Sequence, residues 1–267
     1  MKTKEKNSES NQALLQRIEQ YWNDHIHDLE IAKNPVGSLE FFQDLEDYRF
    51  EKLHYLPRLV DFQAWNGKDL LEVGCGVGLD LARFARGGAR VTGIDLADKS
   101  IELAKKHFAY QSLPAELQKG NGEKLHFPDN TFDVVYAHGV IQYTADAQAM
   151  INEMIRVLKP GGTAIMMVYN RLSWLNFLSR TLNVKMEHTD APVLKKYSRK
   201  EFSGLLRNFS DVRIVTERFP VRSRLQRGLK AVFFNNFFVP GFNLIPKFIT
   251  RRSGWHLMAF ARKKDTR

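Results

Sequence analysis

The 267-residue sequence has one cysteine, Cys75, so it can form no intrachain disulfide and has too few thiols for a cysteine-rich metal site. No apolar run approaches the roughly 20 residues needed to span a bilayer. The leading segment, MKTKEKNSESNQ, is polar and charged with no hydrophobic stretch behind it, unlike a secretory signal. A cytoplasmic location is therefore expected. His25 and His27 are two apart on a predicted helix and point to different sides, and no histidine pair has a zinc-ligand spacing, so no metal is expected. The G-x-G-x-x-G spacing that admits a pyrophosphate is missing, as are internal repeats and low-complexity tracts.

Acidic residues thin out toward the C-terminus. From Arg171 onward, 13 Arg and 8 Lys face six acids, a balance of +15, whereas residues 1–170 stand at −5 and the whole chain at +10. The C-terminal third therefore suits an anionic partner: a membrane surface, nucleic acid or an acidic substrate.

The apolar fraction of 43% can fill the core of one α/β domain with decoration. Residues 11–62 read as helical: Leu14, Leu15 and Ile18 recur at helical spacing, and Ser38 can cap a helix from about Leu39. Arg49, Leu53 and Leu56 continue the period until Pro57. From Asp69 short apolar runs alternate with helical stretches. Strands are predicted at Leu70–Val73, Arg90–Ile94, Ala115–Gln118, Thr131–Ala137 and Thr163–Tyr169, and helices at Leu79–Arg86, Ser100–Tyr110 and Ala147–Leu158. This alternation implies a parallel sheet with right-handed crossovers. Further on, Ser198 and Glu201 form a capping-box pair, and Val212–Phe219 and Trp255–Arg262 read as strands.

Three constellations carry the chemistry. In Glu72-Val73-Gly74-Cys75-Gly76-Val77-Gly78 a strand ends, the chain turns on glycines and a helix begins, so backbone can approach a nucleotide closely. Asp95 ends the next strand, 17 residues past Gly78, where a carboxylate can accept both hydroxyls of a ribose. The loop from Gly120 through Asn121 and Gly122 follows a third strand and can meet an adenine edge.

In order, LLEVGCGVG, VTGIDL, GNGEKLHFPDNTFDVVYAHGVIQY and IRVLKPGGTAIM resemble the class I S-adenosylmethionine-dependent methyltransferases, nearest the ubiquinone and menaquinone biosynthesis branch. The resemblance covers about Asp69 to Tyr169. It implies a Rossmann-like, mostly parallel seven-stranded sheet with helices on both faces. It also implies an N-terminal helical lid (1–62), a cofactor-binding core (63–219), a cap insertion (220–254) and a final strand with the tail (255–267). Glu72, Gly74, Cys75, Gly76 and Gly78 would border the methionine part of S-adenosylmethionine. Asp95 would hold the ribose, Leu96 would pack on the adenine, Asn121 and Gly122 would read its edge, and His138 would lie beside the sulfonium. Asn121 departs from the family, which commonly has Asp there; an amide oxygen still accepts from an amine. From the lid, Tyr21, Trp22 and Arg49 are candidates to reach the cofactor, the last by pairing with its carboxylate. By position His138 is the candidate general base and Tyr143 a second polar catalytic group. Nothing basic near Cys75 in sequence would activate its thiol.

The implied reaction is methyl transfer to a small, apolar or aromatic acceptor. One alternative is an RNA methyltransferase. Against it, Ala137-His138-Gly139-Val140-Ile141-Gln142-Tyr143 lacks the Asn/Asp-Pro-Pro-aromatic motif, and one cysteine cannot run a two-cysteine scheme. Another is a non-catalytic cofactor-binding module. The segment Arg222–Arg252 holds seven basic residues and six phenylalanines. On a helix, Leu225, Leu229 and Val232 would share one face, with Arg224 and Arg227 opposite. The segment is expected to cap the acceptor pocket and to touch anionic membrane, nucleic acid being the less favoured partner.

Overall fold

The computed structural model describes residues 2–181, 186, 188–222 and 228–265. The N-terminal helices are α1 (Lys2–Asp24), α2 (Leu39–Lys52) and α3 (Leu56–Leu59). Ser38 caps α2 by accepting from the Phe41 amide at 3.1 Å. Pro57 does not end the helical region; it lies in the first turn of α3, where no amide hydrogen is required.

The alternating part runs β1 (Asp69–Val73), α4 (Leu79–Arg86), β2 (Arg90–Asp95), α5 (Asp98–Tyr110), β3 (Glu116–Lys119), β4 (Phe132–His138), α6 (Ala147–Val157) and β5 (Leu158–Tyr169). Helix α5 starts two residues before Ser100, which is buried inside it, with Asp98 in the first turn where an acid favours the helix dipole. Strand β5 starts five residues before Thr163, because Leu158 already pairs with Phe132 across a register shift. Then come α7 (Trp174–Thr181), α8 (Arg199–Leu205), β6 (Ser210–Glu217) and β7 (His256–Arg262). Between β6 and β7 lie α9 (Leu229–Phe233), a π-helical turn (Phe234–Phe238), α10 (Val239–Leu244) and α11 (Lys247–Thr250). Arg224, Leu225 and Arg227 lie outside the described residues.

The seven strands form one sheet in the order β3-β2-β1-β4-β5-β7-β6. The first five are parallel, and β7 runs antiparallel to both β5 and β6. The period of two in β4 sorts its side chains between two cores. Val135 and Ala137 pack with α6 and α8, and Val134 and Tyr136 with α3, α4 and α5. A third cluster docks the N-terminal helices: Phe41, Phe42 and Leu45 of α2 against Val77 and Leu103. Full burial of such a side chain contributes about 1.5–3 kcal/mol, so α2 is anchored to the core. The strand order reverses between β1 and β4, and at the carboxyl edge of such a sheet ligands enter.

Candidate functional site

The glycine turn leaves β1 at that edge. The amides of Gly74 and Cys75 donate to the Ile94 carbonyl at 2.8 and 2.9 Å, tying the turn to β2. Asp95 completes the tie: Oδ2 accepts from the Gly76 amide and Oδ1 from Ala97, each at 2.9 Å. Gly74 sits at φ +71°, and a Cβ there would stand 2.3 Å from Val140. Gly76, at φ +54°, has nothing within 4 Å of an added Cβ, so a side chain would project into open space.

That space belongs to a cavity of about 200 Å³ along the sheet edge. Its walls follow the strand order: Asp95 and Leu96 after β2, Glu72 to Gly76 after β1, His138 at the end of β4, Tyr169 at the end of β5, and Arg218 just past β6. Asn121, Gly122 and Tyr143 also line it, as do Ile18, Trp22, Ile26 and Asp28 of the N-terminal segment. The lid candidate Trp22 meets Tyr143 edge-on, with ring centroids 4.9 Å apart.

The donors and acceptors on the β1–β2 side fit S-adenosylmethionine. Glu72 is buried, and its Oε2 has no hydrogen-bond partner among the described residues. Burial, and then the neighbouring Asp80, push its carboxyl well above the usual range. A cationic ligand would relieve both, and the methionine part offers an ammonium and a sulfonium. Each Asp95 oxygen gives one lone pair to backbone and keeps another for a ribose hydroxyl. Asn121 Oδ1 accepts from the Glu123 amide at 2.8 Å and likewise keeps one lone pair for an adenine amine. Burial, then Asp95, raise the Cys75 thiol, which agrees with an inert packing role.

A buried polar network underlies the other half. Arg49 grips Asp80 with Nε at 2.6 Å and with Nη2, and Tyr136 donates to Asp80 at 2.7 Å. Burial alone would raise Asp80, but Arg49 outweighs it and the carboxyl stays below its ordinary value. Arg49 Nη2 is also 3.3 Å from His138 Nδ1, and His138 Nε2 is 3.3 Å from the Tyr55 hydroxyl. Tyr55 lies 2.5 Å from His256 Nδ1, and Arg218 Nη1 lies 3.2 Å from His256 Nε2.

Four sequence expectations need correction. Tyr21 does not line the cavity; its hydroxyl turns to His188 at 3.0 Å and Asp190 at 2.9 Å. Gly78 begins α4 against Phe108 and is not in the wall either. Arg49 reaches the cavity, but two of its nitrogens are engaged by Asp80, so its whole fork cannot take a cofactor carboxylate. His138 does line the cavity, yet burial, then Arg49, push it down to about 3, and both ring nitrogens have partners. An imidazole that resists protonation this strongly is a poor general base.

The sequence reading missed Asp80, Tyr55, His256 and Arg218. His256 carried a signal, as the one polar residue heading the apolar strand HLMAFA. Asp80 carried a weaker one, a carboxylate on the buried face of the helix that the glycine turn opens.

Residues 71–166 match the family described as "Methyltransferase domain". A ubiquinone biosynthesis O-methyltransferase of Coxiella burnetii is 31% identical over 138 residues, 52% of this chain and 56% of that protein. A sterol 24-C-methyltransferase, ERG6A, of Gibberella zeae is 36% identical over 128 residues, 46% of this chain and 31% of that protein. The chain thus spans about half or less of the length of these curated relatives. A solved S-adenosylmethionine-dependent methyltransferase of Thermotoga maritima, a possible histamine N-methyltransferase, superposes with a TM-score of 0.55 at 21% identity, covering 84% of this chain and 98% of that one. Residues 71–166 thus match a methyltransferase domain, and the sheet order and glycine turn around it give the chain the fold of solved S-adenosylmethionine-dependent methyltransferases.

Proposed function

We propose that the protein transfers a methyl group from S-adenosylmethionine to a small, apolar or aromatic acceptor by in-line displacement. One observation carries the reading: a single cavity runs from Asp95 and Glu72 at the nucleotide end, past His138, to Tyr169 and Arg218. The bound cofactor supplies an electrophilic methyl carbon. The residues 1–62 act as a lid in which Trp22, with Tyr143, excludes water from the reaction space. The core elements orient the two reactants, a contribution of about 7–11 kcal/mol when alignment is good. His138 and Tyr143 touch the acceptor as walls, with His138 kept neutral so that it does not repel a sulfonium. No base is assigned, since His138 is pushed down to about 3. O- and C-methyltransferases both occur among the relatives, which supports a small-molecule acceptor without fixing its atom. The test is production of S-adenosylhomocysteine by purified protein with quinol, phenol and fatty-acid acceptors. Turnover absent across all acceptors, with cofactor bound, would favour the non-catalytic module.

Contrary to the expected cap over the acceptor pocket, no described residue of 220–254 lines the cavity, and we also propose that this segment rests on anionic membrane. Among the described residues no helix is long and apolar enough to cross a bilayer. The cap instead divides its phenylalanines. Phe234 and Phe238 pack toward Trp174 at 6.0 and 5.9 Å, while Phe233, Phe237 and Phe248 are 59%, 66% and 70% exposed. Arg222, Arg251 and Arg252 are exposed in the same segment. Each basic residue near an anionic surface contributes about 1 kcal/mol.

A further inference from the structure

We infer that Glu72 selects the sulfonium-bearing donor over its thioether product by changing protonation. It is a neutral carboxylic acid in the free protein and a carboxylate against bound S-adenosylmethionine, so that binding the donor releases a proton. This role rests on the cofactor reading above, because the ligand that ionises Glu72 is the cofactor.

The register of β1 puts Glu72 where a charge has no support. It lies between Leu71 and Val73 and pairs with Gly93 of β2 on one side and Tyr136 of β4 on the other. Its side chain is 3% exposed and lines the cavity, and Oε2 has no hydrogen-bond partner among the described residues. Ionisation in such a place is strongly unfavourable without a counter-charge, and the group keeps its proton instead.

The nearby donors serve another acid. Arg49 directs Nε, at 2.6 Å, and Nη2 to Asp80, and the Tyr136 hydroxyl donates to Asp80 at 2.7 Å. Asp80 is therefore the ionised carboxylate of the pair, and Glu72 is left beside its negative charge. The elements around Glu72 present few other charges. Helix α2 supplies Arg49, α4 supplies Asp80, and β2 ends in Asp95, a further carboxylate. Strand β4 supplies Tyr136 and, at its end, His138; the glycine turn supplies Cys75. Burial keeps these last three neutral near pH 7, raising Tyr136 and Cys75 and lowering His138. Arg49 pulls Glu72 downward, but burial and then Asp80 outweigh it and hold the carboxyl well above its ordinary value.

What Glu72 lacks is a positive charge, and a sulfonium is one. A sulfonium carries no hydrogen, so only charge can recognise it, and charge acts most strongly where water is excluded. S-adenosylhomocysteine keeps the ammonium and carboxylate but has a neutral sulfur, and it leaves Glu72 protonated to a greater extent. Once the methyl group has left, Glu72 takes a proton back and holds the product less tightly. The balance closes through solvent: one proton leaves when the donor binds and one returns with the product.

The experiment is calorimetry of S-adenosylmethionine and S-adenosylhomocysteine with full-length protein, from pH 6 to pH 7.5, in buffers of different ionisation heat. Both ligands carry the same amine, so its own titration cancels between them. Wild type is expected to release about one proton per chain with S-adenosylmethionine near pH 7, its affinity rising about tenfold per pH unit, and less than about half a proton with S-adenosylhomocysteine. Glu72→Gln is expected to remove that difference in proton release and to lower the donor-over-product preference at least roughly tenfold at pH 7.5. Equal release with both ligands in wild type, no release with either, or an undiminished difference in a folded Glu72→Gln would overturn the inference. Should the variant not fold, the wild-type comparison decides alone. Absence of binding of both ligands by wild type would instead strike the cofactor reading itself, a separate failure.

Discussion

The substitutions Gly76→Val and Gly74→Ala separate ligand approach from folding within one turn. A Cβ at Gly76 meets nothing of the protein within 4 Å, so the side chain introduced by Gly76→Val would occupy the cavity. The folded state would bear only the left-handed backbone, roughly 1–2 kcal/mol for an L-residue. Gly74→Ala bears a similar backbone cost and adds a Cβ 2.3 Å from Val140 Cγ2, an overlap that must move the 139–143 turn, at typically about 1–3 kcal/mol more. Gly76→Val should therefore melt within a few degrees of wild type yet bind S-adenosylhomocysteine at least roughly 100-fold more weakly, about 2.7 kcal/mol. Gly74→Ala should lose more stability than Gly76→Val. Circular dichroism melting and calorimetry on the same samples supply both readings. Near-normal binding by a folded Gly76→Val would refute the placement of the cofactor on this turn.

Asp95→Asn keeps one backbone acceptor but loses charge and should weaken calorimetric S-adenosylhomocysteine affinity by about 1.5–3 kcal/mol. Asp80→Asn leaves Arg49 buried without its counter-charge and should destabilise the fold by about 3 kcal/mol in urea titration. His138, pushed down to about 3, resists protonation only when folded, so the unfolded chain takes up the extra proton below about pH 6.5. Stability should thus fall with acidification, and between pH 7 and pH 5 this one group accounts for up to about 2 kcal/mol, a loss that His138→Gln should lack. The triple variant Phe233→Ser, Phe237→Ser, Phe248→Ser should stop co-sedimenting with phosphatidylglycerol vesicles at low salt; strong, salt-sensitive RNA retention by wild type would favour the RNA reading.

Local signals made the proposed nucleotide half legible. Gly74, Gly76, Asp95 and Asn121 act through backbone turns at strand ends, and strand ends follow from apolar period and glycine spacing. The strands that carry them fall within a few residues of expectation, with the error at Leu158, where pairing to Phe132 extends β5 beyond what its own sequence suggests. The other end of the cavity was illegible because it is assembled from distant segments. Tyr55, His256 and Arg218 come from an N-terminal turn, a last strand and a left-handed junction, more than 150 residues apart at the extremes. Arg49 was noticed, but its partner Asp80 was not, so its engagement in an internal ion pair could not be foreseen. Tyr21 was misdirected for a similar reason: its neighbours His188 and Asp190 lie far along the chain.

The most direct test of the central claim, that the carboxyl edge around Gly76 and Asp95 holds S-adenosylmethionine, is calorimetry of S-adenosylmethionine with the wild-type protein and with Asp95→Asn. Binding of one cofactor per chain, weakened by about 1.5–3 kcal/mol in the variant, is the predicted result. Absence of binding by folded wild type, or unchanged affinity in Asp95→Asn, would contradict it.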